Sequence, residues 1–514
     1  MQKLKHLFIL LFISFVVVTA KDGNKIIIKE DAGKIKIDKN IYGHFAEHLG
    51  NCIYGGFWVG ENSKIPNIRG LRKDVIDALK EINPPVIRWP GGCFADTYHW
   101  MDGIGPREKR PSIINTNWGG VTEDNSFGTH EFLDLCEILG AEPYVCVNVG
   151  SGTVEEASQW VEYINSNNES PMTRLRKQNG REKPWNVKYW AVGNESWGCG
   201  GNMEPSYYAD VFKRFSTFMN GRNLYKVASG GTDADYDWTE TVMKKTQKFG
   251  HLIQGYSFHY YTVYPGWNPK SSATDFKEAE WFGMMKNTFI VNERLKEHIN
   301  IMNKYDPDNK IGLIADEWGS WYEVEPGTNP GFLFQQNTLR DAVMGAVYLN
   351  IFNNNAERIK MANIAQTINV LQAMLLTKDN QMVKTPTFYL FKMYKVHQNA
   401  DLLPINLICE DYEYNGDKIP AVTASASKNA QGEINISLAN VNPNKDLEIE
   451  IELNGISNSN KSKGEIIVSK NMNDFNDFGE EEKVNIKAFT GFKLSENSVK
   501  LNLPAKSVVT LNIK

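Results

Sequence analysis

The chain has 514 residues, 41% hydrophobic, 23% charged and 11% aromatic, which excludes a disordered, collagen-like or small disulfide-scaffold protein. Roughly 100–200 residues per domain makes this two or three domains. A formal net charge of −5 exerts no global pull on nucleic acid or anionic membrane, and neither is an expected partner. Residues 1–20 read as a cleaved secretory signal peptide: Lys3 and Lys5 precede an apolar run over 7–18, and Val18, Thr19 and Ala20 supply small residues at its end. That run is too short for roughly 30 Å of hydrocarbon. The mature protein is therefore expected to be secreted or periplasmic, with no membrane segment.

Residues 24–38 predict two short strands around Asp31-Ala32-Gly33. Next come eight short apolar runs, at 41–47, 85–88, 143–148, 187–194, 226–230, 253–259, 311–317 and 358–363. Amphipathic stretches such as 72–82, 129–139 and 206–219 lie between them. Apolar strands alternating with helices predict a parallel sheet covered by helices, and eight units predict a (β/α)8 TIM barrel over 41–384. The alternative, an open doubly wound sheet, lacks a G-x-G-x-x-G or phosphate-binding loop after any strand. From about residue 385 the helical period mostly gives way to period-2 runs at 433–438, 447–453, 464–468 and 507–513. These predict a C-terminal β-sandwich over 385–514, jelly-roll-like, with residues 21–40 pairing onto it and 455–463 as a surface loop. All 13 tryptophans fall between Trp58 and Trp321, so the two regions are built of different material.

A barrel enzyme builds its site at the C-terminal ends of its strands. Those ends carry Glu47 and His48, Arg88, Asn148, Asn194 and Glu195, His259 and Tyr261, Asp316 and Glu317, and Asn363 and Gln366. Glu195 and Glu317 each end an apolar strand, where an ionised carboxylate is costly unless it faces a polar cavity. Two carboxyls across one cleft suit glycoside hydrolysis: one protonates the leaving oxygen, the other attacks or activates water. His259 and Tyr261, two apart on one strand, point the same way. The six cysteines (Cys52, Cys93, Cys136, Cys146, Cys199 and Cys409) form no C-x-x-C pair and no zinc-like spacing, so no metal is expected.

The segments IYGHFAEHLG (41–50), VIRWPGGCFAD (86–96), YHWMDGIGP (98–106), VGNESWG (192–198), SFHYY (257–261), IADEWGSWY (314–322) and MANIAQTINVL (361–371) resemble family 51 of the glycoside hydrolases, the α-L-arabinofuranosidases. The resemblance implies a retaining, exo-acting enzyme that releases arabinofuranose from arabinan or arabinoxylan side chains. It implies Glu195 as general acid/base and Glu317 as nucleophile, with carboxyls about 5–5.5 Å apart. By the same resemblance Asn194 contacts the sugar 2-hydroxyl, Glu47 grips further hydroxyls, and Tyr261 and His259 flank the two catalytic carboxyls. Arg88 orients neighbouring carboxylates, and Trp118, Trp321 and Gln366 line the furanose pocket. It implies no cofactor, an arabinose-containing glycan as partner, and a homo-oligomer, trimer or hexamer.

Where many family members carry Asn in contact with the sugar, this chain has Cys93, a poor hydrogen-bond donor. Cys199 lies four residues beyond Glu195, and Cys93 follows the second strand end, so both reach one rim. With export, that placement predicts a Cys93–Cys199 disulfide. Two other readings compete: an endo-glucanase or xylanase on the same scaffold, separated by an open groove, and a non-catalytic sugar-binding barrel, opposed by the presence of both carboxylates.

Overall fold

The computed structural model describes residues 23–29, 35–454 and 462–514. The leader reading at 1–20, the turn at 31–33 and most of the expected loop at 455–463 lie outside these residues. Ser462 and Lys463, included in that loop, instead open a strand.

After β1 (Asn24–Lys29) come eight parallel strands: β2 (Gly43–Phe45), β3 (Val86–Trp89), β4 (Glu142–Val147), β5 (Tyr189–Val192), β6 (Tyr225–Ala228), β7 (Gly255–Thr262), β8 (Gly312–Ser320) and β9 (Ile359–Ile364). Each pairs with the next, and β9 closes on β2 with Asn363 opposite Gly43 and Ile364 opposite His44. The (β/α)8 barrel expected from the eight apolar runs is borne out. β3, β5 and β8 are buried at every position, because helices cover one face and the barrel core the other.

The helices α1 (Lys73–Ile82), α2 (Thr129–Leu139), α3 (Val154–Asn165), α4 (Pro205–Phe218), α5 (Tyr236–Thr246), α6 (Glu278–Tyr305) and α7 (Leu339–Asn354) surround the strands. In α4, Pro205 starts the helix where a missing N–H costs nothing, and Tyr208, Ala209, Phe212, Phe215 and Ser216 form its buried stripe. Every residue of α7 except Asn354 is buried, since it lies between the barrel and the C-terminal sheets. There the Ser425 hydroxyl accepts from Asn353 Nδ2 at 3.1 Å and donates to Asn350 Oδ1 at 2.7 Å. Among the described residues no helix is long and apolar enough to cross a membrane.

Past residue 385 the first element is a helix, α8 (Pro386–Tyr394), and strands begin at β10 (Asp401–Leu403). Two sheets follow. One joins β10, β12 (Val422–Lys428), β13 (Ile434–Asn440), β19 (Ser507–Ile513), β15 (Ser462–Ile467) and β16 (Ile486–Ala488) in that order. The other joins β11 (Ile405–Ile408), β1, β14 (Leu447–Asn454), β18 (Ser498–Leu503) and β17 (Phe492–Leu494). β1 thus crosses the chain to pair in parallel with β14 and antiparallel with β11. In β14 the isoleucines and leucines are buried, and the alternate glutamates are partly or fully exposed.

Candidate active site

The strand ends meet around a cavity of about 640 Å³, lined in part by Glu47, Cys93, Trp118, Glu195, Tyr261, Glu317, Trp321 and Gln366. Arg88 lies beneath it, 1% exposed, and ties three strand ends together. Its Nη1 donates to Glu317 Oε1 at 2.7 Å and to the Asp316 carbonyl at 3.2 Å, and its Nη2 donates to Asn194 Oδ1 at 2.6 Å. Burial acts against the guanidinium charge, but the Asp316 and Glu317 carboxylates outweigh it and hold Arg88 firmly protonated. The second Glu317 oxygen accepts from the Tyr261 hydroxyl at 2.8 Å. Burial, then the Glu317 charge, pushes that phenol well above its usual range, so it remains a neutral donor.

Glu195 follows Val192-Gly193-Asn194 with φ +40°, in the left-handed region. Its carbonyl accepts from Gly198 N–H at 2.7 Å and Gly200 N–H at 3.1 Å, which closes the turn. Gly200 is required there: a Cβ would lie 1.9 Å from the Asn194 carbonyl oxygen. Glu195 Oε1 meets His259 Nδ1 at 2.9 Å, and His259 Nε2 lies 3.2 Å from Asp316 Oδ1. Burial raises the Glu195 carboxyl above its ordinary range; the His259 contact opposes this and the Glu317 charge adds to it. Burial alone would lower His259, but Glu317, Asp316 and Glu195 together take it up to about 10. Asp316 is brought down to about 2 against its own burial, by Arg88 and His259 together with the Ser257 hydroxyl at 2.6 Å. One oxygen of Glu195 and one of Glu317 lie within 4.8 Å of each other.

Glu47 forms the floor of the cavity. Its Oε1 accepts from Phe94 N–H at 3.0 Å and Trp118 Nε1 at 2.8 Å, and its Oε2 from Gln366 Nε2 at 3.0 Å. Burial, then Glu317, takes its carboxyl up to about 7. The Trp321 ring meets Tyr261 edge-on at 5.0 Å. Cys93 and Cys199 are joined in a disulfide, so Cys93 brings no S–H donor to the cavity.

Two models for α-L-arabinofuranosidases match the chain, the domain 1 model over residues 78–226 and the C-terminal domain model over 316–507. It is 53% identical to a protein of Bacteroides ovatus named intracellular exo-alpha-L-arabinofuranosidase, over 97% of each chain. The chain belongs to the α-L-arabinofuranosidases, family 51 of the glycoside hydrolases. The family 51 enzyme from Xanthomonas axonopodis pv. citri superposes with a TM-score of 0.94 at 44% identity, covering 96% of this chain and 100% of that one. A Thermotoga maritima α-L-arabinofuranosidase in complex with arabinose gives 0.83 at 28% identity, covering 95% and 99%.

The Bacteroides relative corrects one expectation. Its name places it inside the cell, which overturns the secreted or periplasmic location read from residues 1–20. A lysine-led apolar run has the composition of an export leader without being sufficient evidence of one. The Cys93–Cys199 pairing then follows from the meeting of two strand ends at one rim and not from export.

Not every strand-end polar residue faces the cavity of this family 51 chain. His48 is buried outside it, accepting from Trp89 Nε1 at 3.2 Å. Asn148 Oδ1 caps its own turn through Ser151 and Gly152 N–H, and Asn363 donates to the His44 carbonyl inside the barrel wall. Two contributors were given no role from sequence. Asp316 receives Tyr144 and Ser257 and faces Arg88. Asp96 accepts from the backbone N–H groups of Val149, Gly150 and Asn194, fastening the turn after β3 to those after β4 and β5. The IADE motif contains the first, and only its adjacency to Glu317 pointed to it.

Proposed function

We propose that the chain is a retaining, exo-acting α-L-arabinofuranosidase that removes terminal arabinofuranose from arabinan or arabinoxylan side chains. The observation that carries this reading is the closely spaced pair of differently solvated carboxyls. Glu317 receives two strong donors, Arg88 and Tyr261, which suit an oriented, ionised nucleophile. Glu195 is raised by burial, which suits a group that begins the reaction protonated. Oxygens within 4.8 Å leave no room for the intervening water that inversion needs.

In the first step Glu317 attacks the anomeric carbon while Glu195 gives its proton to the glycosidic oxygen. The C–O bond breaks, the aglycone leaves as an alcohol, and a glycosyl ester forms on Glu317. In the second, Glu195 takes a proton from water, whose oxygen displaces Glu317 and releases arabinose with retained configuration. Glu47, fixed by Trp118, Gln366 and Phe94 N–H, recognises hydroxyls at the floor. Asn194 Oδ1 is occupied by Arg88, which directs its Nδ2 to the sugar 2-hydroxyl. Trp321 walls the furanose, and His259 steadies Glu195.

The catalytic unit is the barrel of 41–384, and the sheets of 385–514 with the strand near the start of the chain form its companion. A trimer or hexamer is the assembly this reading carries, and light scattering tests it. The function is tested with an aryl α-L-arabinofuranoside and with arabino-oligosaccharides: Glu195→Ala and Glu317→Ala should each severely cut oligosaccharide hydrolysis. Wild-type activity in Glu317→Ala would show the mechanism to be misassigned.

A further inference from the structure

The Cys93–Cys199 bridge joins residues 106 apart in sequence, linking the turn after β3 to the turn that carries Glu195. Cys199 Sγ lies 3.5 Å from Glu195 Oε2 and 3.8 Å from Asn194 Nδ2. A disulfide sulfur has no proton to donate, so the Glu195 contact is packing against the carboxyl, whereas the Asn194 amide N–H donates to the sulfur. The two Glu195 oxygens are therefore held differently: His259 takes Oε1, while among the described residues Oε2 has no hydrogen-bond donor and lies against the bridge sulfur. Oε2 is the oxygen left to deliver a proton. The turn behind it contains a non-glycine residue at φ +40°, a conformation that persists only when its surroundings enforce it.

We propose that the Cys93–Cys199 disulfide is a covalent positioning element for the proton-donating oxygen of Glu195, and that opening it selectively impairs protonation of the leaving group. This rests on the acid/base reading of Glu195. Cys199 is exposed and Cys93 half-buried, so a small dithiol reaches the bridge. One reductant thiolate attacks Cys199 Sγ. The S–S bond breaks, and its electron pair goes to Cys93 Sγ, which takes a proton. The second reductant thiol resolves the mixed disulfide, releasing Cys199 as a thiol and the reductant as its own disulfide. The turn then keeps its backbone hydrogen bonds and the Asn194 N–H bond to Asp96 but loses its covalent cross-tie at Cys199. A displacement of about 1 Å at a reacting group costs on the order of 100-fold. The loss falls on proton transfer, because Glu317 is held separately by Arg88 and Tyr261.

The experiment compares oxidised enzyme with enzyme treated with dithiothreitol, with bridge opening verified by thiol titration. Two substrates are used: an arabino-oligosaccharide, whose leaving group needs protonation, and an activated aryl arabinofuranoside, which needs little. Reduction should lower kcat/KM on the oligosaccharide about 10- to 100-fold and on the aryl substrate less than about threefold. Reoxidation should restore it, and the C93S/C199S double variant should no longer respond to dithiothreitol. The alkaline limb of the oligosaccharide profile should shift on reduction. Glu195 is faced by His259 from β7, Glu317 from β8, and Arg88 from β3, and a displaced Glu195 turn changes the carboxyl's distance from all three. An unchanged substrate ratio with both thiols titrated overturns the proposal, as does an equal fall on both substrates in step with lost thermal stability. Glu195→Ala in oxidised enzyme is the control. If that variant lacks leaving-group dependence, the acid/base reading has failed, independently of the bridge.

Discussion

Replacing Arg88 with lysine tests whether one guanidinium organises the site. The fork spans Glu317 Oε1 at 2.7 Å and Asn194 Oδ1 at 2.6 Å from separate nitrogens. A lysine ammonium keeps the charge, but as a single point on a flexible stem it cannot hold both acceptors. Losing one charge-assisted hydrogen bond costs about 1.5–3 kcal/mol, and leaving the buried Asn194 oxygen without a donor adds about 1 kcal/mol. About 3 kcal/mol in the transition state is a loss of about 100-fold in kcat/KM. The assay is steady-state hydrolysis of an aryl α-L-arabinofuranoside, with circular dichroism and a thermal melt to establish folding. Arg88→Met should instead cost about 3–5 kcal/mol of stability, because it takes the guanidinium from the buried Asp316 and Glu317 carboxylates and leaves them to share the His259 cation with Glu195. A folded Arg88→Lys enzyme within about threefold of wild type would refute the reasoning behind this 100-fold expectation.

Activity on oligosaccharides should fall as pH rises through the Glu195 pKa, and because burial raises that pKa the limb should lie above the ordinary carboxyl range of about 4. Glu195→Ala should remove the limb on an activated aryl substrate; a wild-type alkaline limb in that variant would exclude Glu195 as its source. Glu47 is raised from 4.5 to about 7, so its contribution to stability is complete below 4.5 and lost as pH rises through about 7. Thermal melts of Glu47→Gln across that window should vary less with pH than those of wild type, and an equal slope would contradict the raised value.

The barrel was legible because eight runs of apolar residues, each ending in polar or glycine residues, repeat through the front of the chain, a pattern set by burial on both strand faces. α7 has no amphipathic stripe to read, because it is covered by strands on one side and sheets on the other. At β8, strict alternation would send Asp316 and Glu317 to opposite faces. The register of β8 shifts against β9 between Ala315 and Trp318, and against β7 opposite Ser257 and His259, and Arg88 reaches both carboxylates. Such an irregularity has no local sequence signal, so Asp316 was seen without a role. Asp96 is the same kind of case, since its partners at 149, 150 and 194 are distant in sequence. The two proposed catalytic carboxyls were legible for the opposite reason: a charge at the end of an apolar strand is conspicuous in one dimension.

Glu317 as nucleophile is the centre of the proposed mechanism. The most direct measurement is azide rescue of Glu317→Ala with an activated aryl α-L-arabinofuranoside, followed by NMR of the product. The variant should be inactive and regain activity with azide, yielding an arabinofuranosyl azide of inverted anomeric configuration. A retained azide, or full activity without azide, would contradict that assignment.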